Sequence, residues 1–287
     1  MTAYLAGHPT DRRRTTRFRR FALMHHNLDT IDRPIIKTAE TRDELEQAFS
    51  LVYREYLRSD YITKPNGSRI CATIYHVLPE TAVFTCTFFH TVVGTFTYIL
   101  DGKLFGLPMD ALYHKELNAL RDANRRLVEI SSLAISRENR GRNVFMQLFR
   151  AVYWYAIFRN VNDLCIMVNP KHVEFYKTIC LFEDLGPEKY YPKVGAPAVA
   201  LRLDLDEFES NLRREYDAFD FDCDLYSFFF RETHTPMAKC NGKHHLEKRR
   251  ILDANTVKYF FIEKTNVLEN ATPHQMNYIR SIYQGLN

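Results

Sequence analysis

The chain has 287 residues, 46% of them hydrophobic and 26% charged, which is enough for one sizeable core plus an appendage and unlike a disordered chain. No apolar run approaches the roughly 20 residues that span a bilayer, and the N-terminus lacks the basic-then-apolar layout of a secretory signal, so a cytoplasmic protein is expected. The net charge of +4 resides in the first 33 residues, where seven Arg face three Asp. Such an arm (residues 1–32) is either a solvated tail or a contact for an acidic partner: nucleic acid, an anionic membrane surface or an acidic protein.

After the arm, residues 34–38 read as a short strand. Thr41 and Glu44 have capping-box spacing, predicting a helix to about Arg58 with Leu45, Phe49, Val52, Tyr53 and Tyr56 on one side. Residues 81–90 and 92–100, rich in Thr, Val, Phe and Tyr, predict a hairpin. A break over 101–108 precedes a helical insert at 109–125. A strand follows at 127–135, then an amphipathic helix at 143–159 with Val144, Leu148, Val152 and Tyr155 inward. Residues 164–168 predict a buried strand, 170–180 a helix and 197–205 a last strand. This mixed order implies an α/β fold, a central mixed sheet with helices on both faces, over residues 33–205. Residues 206–287 read as a mostly helical C-terminal extension, with helices at 206–217, 244–254 and 272–284, an apolar run at 257–262, and Thr272-Pro273 as a helix start. Six cysteines without a CxxC pair, and the scattered pairs His25-His26 and His244-His245, give no disulfide framework and no metal spacing, so no metal is expected.

Three segments carry candidate chemistry. On the strand 127–135, alternation places Glu129 and Ser131 on the face of Leu127, Leu133 and Ile135. A carboxylate on an apolar face is either working or held in a structural ion pair. The following turn, 136–143, offers Arg137, Arg140, Gly141, Arg142 and Asn143 at a helix N-terminus, a setting that suits a phosphate. On the helix 170–180, His172 and Tyr176 share a face; Tyr176 is a proton donor to a leaving group or a packed core residue.

Together these segments resemble the GNAT acyltransferase superfamily, in which a strand ends beside an Arg/Gly loop and a later Asn…Phe-Tyr…Phe helix supplies a Tyr. The matching residues are Arg137–Asn143, Asn169, Phe175-Tyr176 and Leu181-Phe182. Longer runs at 105–110, 126–133, 163–170 and 195–204, with Glu116-Leu117, His172 and Phe175–Lys177, resemble the N-acyl amino acid synthase family of the FeeM type, over residues 35–205. The family is related to acyl-homoserine-lactone synthases. Ser132 stands where those carry an Arg, which argues against lactone synthesis from S-adenosylmethionine. The chain also departs from the superfamily in having one Gly in its loop and Leu181 where a Gly often precedes Phe182.

The resemblance implies transfer of a long-chain acyl group from the 4'-phosphopantetheine of acyl carrier protein to the α-amine of an amino acid, with no tightly bound cofactor. Glu129 would act as base and Tyr176 as acid, with Ser131 and Ser132 beside the reacting centre. Backbone N–H groups near Ser132–Ala134 would serve the oxyanion. Leu133, Ala134, Ile135, Arg137, Arg140, Gly141, Arg142, Asn143, Asn169 and His172 would hold the carrier. Phe84, Phe88, Phe96, Tyr98, Phe145, Phe149 and the insert 105–120 would line the acyl chain, and Arg54, Arg58 or Arg69 would meet the acceptor carboxylate. The alternatives are an acyl-coenzyme A donor with another amine, or nucleic-acid or membrane binding through the arm. Nucleic acid is disfavoured by the absence of a recognised motif.

Overall fold

The computed structural model describes residues 34–62, 64–140, 143–216, 225–230 and 252–285. The basic arm, Gly141, Arg142, Cys223, Cys240 and both His pairs lie outside the described residues. Strand β1 (Ile35–Thr38) leads to helix α1 (Arg42–Arg58), which starts where the capping box predicts. Thr41 Oγ1 accepts from the Glu44 N–H at 3.2 Å, and the Glu44 carboxylate accepts from the Thr41 N–H at 3.1 Å. The hairpin β2 (Ala82–Phe88) and β3 (Thr91–Leu100), helix α2 (Asp110–Asp122), strand β4 (Leu127–Ile135) and helix α3 (Val144–Phe158) follow. Then come β5 (Asp163–Val168), α4 (Pro170–Cys180), β6 (Glu183–Tyr191), β7 (Ala196–Asp204), α5 (Leu205–Tyr216) and α6 (Leu225–Phe230).

The strands form one seven-stranded sheet in the order β1-β2-β3-β4-β5-β7-β6. Among the described residues, only β4 and β5 pair in parallel. Successive residues of the central strands alternate between two cores. Phe84, Tyr98, Val128, Leu164 and Leu201 pack with α3, α4, α5 and α6. Their neighbours Val83, Ile99, Leu127, Cys165 and Ala200 pack with α1 and α2 on the opposite face. The mixed sheet with helices on both faces is therefore the fold expected from the order of elements, and its central strands β2, β3 and β5 are buried on both faces.

Helix α3 lies close on β3. A Cβ at Gly94 would stand 2.4 Å from Val144 Cγ1 and 3.1 Å from Leu148 Cδ1. Gly94→Val should therefore lower unfolding free energy by about 1–3 kcal/mol through overpacking. Gly67→Ala, where nothing lies within 4 Å of the new carbon, is the control in the same urea titration.

The C-terminal extension packs on the α1 face. Helix α7 (Ala254–Lys258), a π-helical turn (Tyr259–Glu263) and helix α8 (Pro273–Ile282) place Val257, Phe260, Phe261, Ile279 and Tyr283 among Leu45, Phe49 and Val52. Tyr283 donates to the Val77 carbonyl at 2.7 Å, and Tyr259 to Glu46 at 3.0 Å. The expected start at Thr272-Pro273 holds, with Thr272 in a second capping box. The helix expected over 244–254 is corrected at its end. Asp253 caps a helix that begins at Ala254, because its carboxylate accepts from the Thr256 N–H at 2.9 Å. Residues 244–251 lie outside the described ones.

Strand β6 was not expected. Its sequence, with Gly186-Pro187 between the charged pairs Glu183-Asp184 and Glu188-Lys189, carries no strand signal. It is an edge strand, where Pro is tolerated. Gly186 leaves room for the Tyr113 ring, which would lie 2.7 Å from an added Cβ, and the Tyr113 hydroxyl sits 2.8 and 2.7 Å from the carbonyls of Pro187 and Ala198.

Candidate active site

The parallel ladder between β4 and β5 is short. It joins Leu127 to Asp163, Val128 to Leu164 and Glu129 to Cys165, and then ends. Beyond it β4 is diverted by a bulge. Thr97 faces Ser131 and Thr95 faces Ala134, so three steps on β4 oppose two on β3, and Ser132 takes a left-handed backbone with φ 51°. The extra residue reverses side-chain parity. Leu133 and Ile135, expected on the Glu129 face, instead pack on the α3 side, while Ala134 turns to α1. The facing edges of residues 130–133 and 166–168 are left without a ladder between them, and a cavity of about 350 Å³ opens through this gap in the sheet.

On the α1/α2 side the cavity meets Glu129, which is only 2% exposed. One of its oxygens accepts from the Met109 N–H at 2.8 Å, and among the described residues no cation pairs with it. Burial pushes its carboxyl up to about 8, against the opposing pull of the Met109 N–H; Asp110 adds to the rise and Lys193 reduces it. Tyr56, Tyr75 and Tyr191 surround this end, each with its hydroxyl held protonated by burial and, more weakly, by Glu129. Neighbouring His76, pushed down to about 4 by burial, is a neutral structural residue whose Nδ1 accepts from the Thr73 N–H at 2.9 Å.

The segment that delivers Met109 is braced. Gly106 takes a left-handed backbone with φ 60°, and the Leu107 N–H donates to Asp110 at 2.7 Å. Arg121 binds Asp101 at 2.7 and 2.8 Å and Asp110 at 2.7 Å on each nitrogen. Arg121→Met should cost roughly 2–3 kcal/mol in a urea titration, since it strands two carboxylates of low exposure.

On the opposite face the wall is aromatic. The Phe145 ring lies 5.6 Å from Phe96, 5.9 Å from Phe149 and 5.7 Å from Tyr176, and Tyr176 lies 5.6 Å from Phe182. Tyr176 is buried, which drives its phenol far above the ordinary range; Cys180 and Tyr56 add to the shift. It sits on α4, whose start is set by Asn169 accepting from the Lys171 N–H at 3.2 Å and by Pro170 in the first turn. The helix ends at Leu181 with φ 59°, so Leu181 adopts the backbone usually left to glycine, at a cost of about 1 kcal/mol. The turn into Phe182 is thus made without the Gly.

The family model of the N-acyl amino acid synthase FeeM matches residues 47–204, more than half of the chain. The chain belongs to this family. The solved structure of FeeM, an N-acyl amino acid synthase from uncultured soil microbes, is 28% identical, with 63% of this chain and 95% of that chain covered and a TM-score of 0.55. The AHL synthase LasI is 18% identical (61% and 91% covered, TM-score 0.48), and the CoA-dependent acyl-homoserine lactone synthase BjaI is 17% identical (62% and 89%, TM-score 0.48). No curated protein sequence matches at a significant level. The chain is accordingly a GNAT-fold acyltransferase that passes an acyl group from a thioester donor to an amine.

Within this FeeM-family fold the residues singled out from sequence are partly gathered. Glu129, Ser131, Ser132, Leu133, Asn169, His172 and Tyr176 all line the cavity, as do Phe96, Phe145 and Phe149. His172 is shifted down by burial and, more weakly, by Lys171 and Arg140. Arg137 is exposed on a 3-10 turn (Arg137–Asn139). Arg140 bonds the Glu55 carboxylate at 2.9 Å and approaches the Ile135 carbonyl at 3.5 Å. Asn143 precedes α3 with φ 56° and does not cap it.

Two groups stand apart from the cavity. Phe84, Phe88 and Tyr98 do not line the cavity. Phe84 and Tyr98 pack on Tyr155 at 5.3 and 4.9 Å, because their strand positions point under α3, upstream of the gap. Of the insert, Pro108 alone reaches the cavity; Leu107, Met109 and Leu117 form core with β4 and β5. The three arginines expected at the acceptor carboxylate also lie elsewhere. Arg54 and Arg58 turn to buried Glu55 at 3.6 and 2.9 Å, and Arg69 is exposed in a turn. Lys193, Tyr56, Tyr75 and the Met109 N–H were not anticipated. The signal for Met109 was the Gly106-Leu-Pro-Met-Asp110 run, whose turn chemistry marks a backbone group in a fixed place.

Proposed function

We propose that the protein is an N-acyl amino acid synthase that transfers a long-chain acyl group from acyl carrier protein to the α-amine of an amino acid. The observation that carries the reading is the cavity through the parted strands β4 and β5, with buried Glu129 at one end and the aromatic wall beside Tyr176 at the other. The acyl chain occupies the side of Phe96, Phe145 and Phe149. The pantetheine arm lies between the unpaired edges at 130–133 and 166–168, which offer it amide partners, and its phosphate faces Arg137 and the start of α3.

Glu129 takes a proton from the acceptor ammonium, whose positive charge favours ionisation of the buried carboxyl on arrival. The freed amine attacks the thioester carbon. Backbone N–H groups at the bulge, Ser132–Ala134, stand where the oxyanion forms; one such donor is worth about 3 kcal/mol. As the C–S bond breaks, Tyr176 gives its proton to the departing sulfur, the nitrogen releases its second proton to restore the Tyr176 phenol, the amide and the free thiol leave, and Glu129 returns its proton to solvent. Purified protein incubated with long-chain acyl carrier protein and a mixture of amino acids should yield acyl amides by mass spectrometry. Amide formation from acyl-coenzyme A alone, or none with any amino acid, would reject the reading.

A further inference from the structure

Resting on that reading, we propose that Lys193 binds the acceptor's α-carboxylate, and so selects amino acids over simple amines. Among the described residues that line the cavity, Lys193 is the only Lys or Arg. It makes no ion pair with any described residue. Exposed on the turn that follows Tyr191, it lines the same cavity as Glu129, whose ionised form it favours. The three arginines that could have served are directed elsewhere, two to Glu55 and one to solvent.

The chemistry of the acceptor matches this arrangement. An α-amino acid is a zwitterion with its two charges one carbon apart. The cavity offers one acid and one cation that do not meet each other directly, so the ammonium can face Glu129 while the carboxylate faces Lys193. Both bonds together orient the nitrogen toward the thioester, which a lone amine cannot achieve.

The turn that carries Lys193 is held in place. Tyr190 pairs with Pro197 and Tyr191 with Ala196 across the hairpin; the Val194 N–H donates to the Tyr191 carbonyl at 3.2 Å and the Gly195 N–H to Pro192 at 3.3 Å. Gly195 supplies the left-handed residue, with φ 63°, that closes the turn. Strand β6 thereby has a purpose in the site: it places a cation where β4 and β5 part.

The test is steady-state kinetics on the full chain with a long-chain acyl carrier protein donor, for the wild type, Lys193→Met and Lys193→Arg. Each is assayed with an accepted amino acid and with the amine left when that amino acid loses its carboxylate. Lys193→Met should raise KM for the amino acid about 10- to 100-fold, leave KM for the donor unchanged, and leave turnover of the decarboxylated amine as in wild type. Lys193→Arg should recover part of the loss. The inference is overturned if Lys193→Met keeps the amino-acid KM, or if wild type uses both acceptors equally well. Those outcomes leave amide synthesis standing. A wild type that acylates amines but no amino acid overturns both the inference and the proposed function.

Discussion

Glu129→Gln should lower kcat for amide formation by about 10²–10⁴-fold, the range for loss of a general base, with little change in KM for the acyl donor. Gln keeps the acceptor oxygen that receives the Met109 N–H, so the fold and the brace around Asp110 are retained. The pH dependence isolates the residue. With its carboxyl raised by burial to about 8, Glu129 is mostly protonated in the free enzyme at neutral pH and cannot accept a proton. The kcat/KM of the wild type should therefore rise with pH through about 8, and Glu129→Gln should retain only the limb of the acceptor amine itself. The same shift has a stability consequence of definite sign. The folded value lies above the ordinary glutamate value of 4.5, so the contribution is fully present below that pH and is lost as pH rises through about 8. The wild type should thus fall behind Glu129→Gln by a few kcal/mol at alkaline pH, seen as a melting temperature that declines only in the wild type. Equal turnover of the two proteins would remove Glu129 as the base, whatever the melting curves do.

Tyr176→Phe should lower kcat by about 10²-fold and leave folding nearly unaffected, because the ring contacts with Phe145 and Phe182 do not involve the hydroxyl. Burial holds the phenol protonated across the whole assay range, so its role is to give a proton, and no pH limb belongs to it. The defect should shrink with an aryl thioester of the same acyl chain, whose sulfur departs without protonation. A deficit of the same size with both donors would mean that Tyr176 acts by packing alone.

Much of this molecule was readable from local chemistry. Capping boxes at Thr41 and Thr272, the β-rich hairpin, the apolar stripe of α3 and the Pro start of α4 are signals contained in a few adjacent residues, and each element stands where its signal lies. The carboxylate on the apolar strand and the His172/Tyr176 pair were legible for the same reason: an unusual residue against a regular pattern. The bulge at Ser132 was not. Nothing in Ile-Ser-Ser-Leu states that one residue must be left over, because the surplus is decided by pairing with β3, some thirty positions away in the chain.

The sequence by itself therefore determined the succession of elements other than β6, the mixed α/β class and the few polar groups set into apolar surroundings, since each depends on propensity and periodicity within one segment. Only the tertiary structure decided which of those groups share a cavity. The short β4–β5 ladder, the edge strand β6 and the packing of Arg54 and Arg58 on Glu55 arise from contacts between distant segments. They hold Arg54 and Arg58 on Glu55 and bring Lys193 to the cleft. Side-chain direction at such places follows from the neighbour across the sheet, and a neighbour across the sheet has no signature in local sequence.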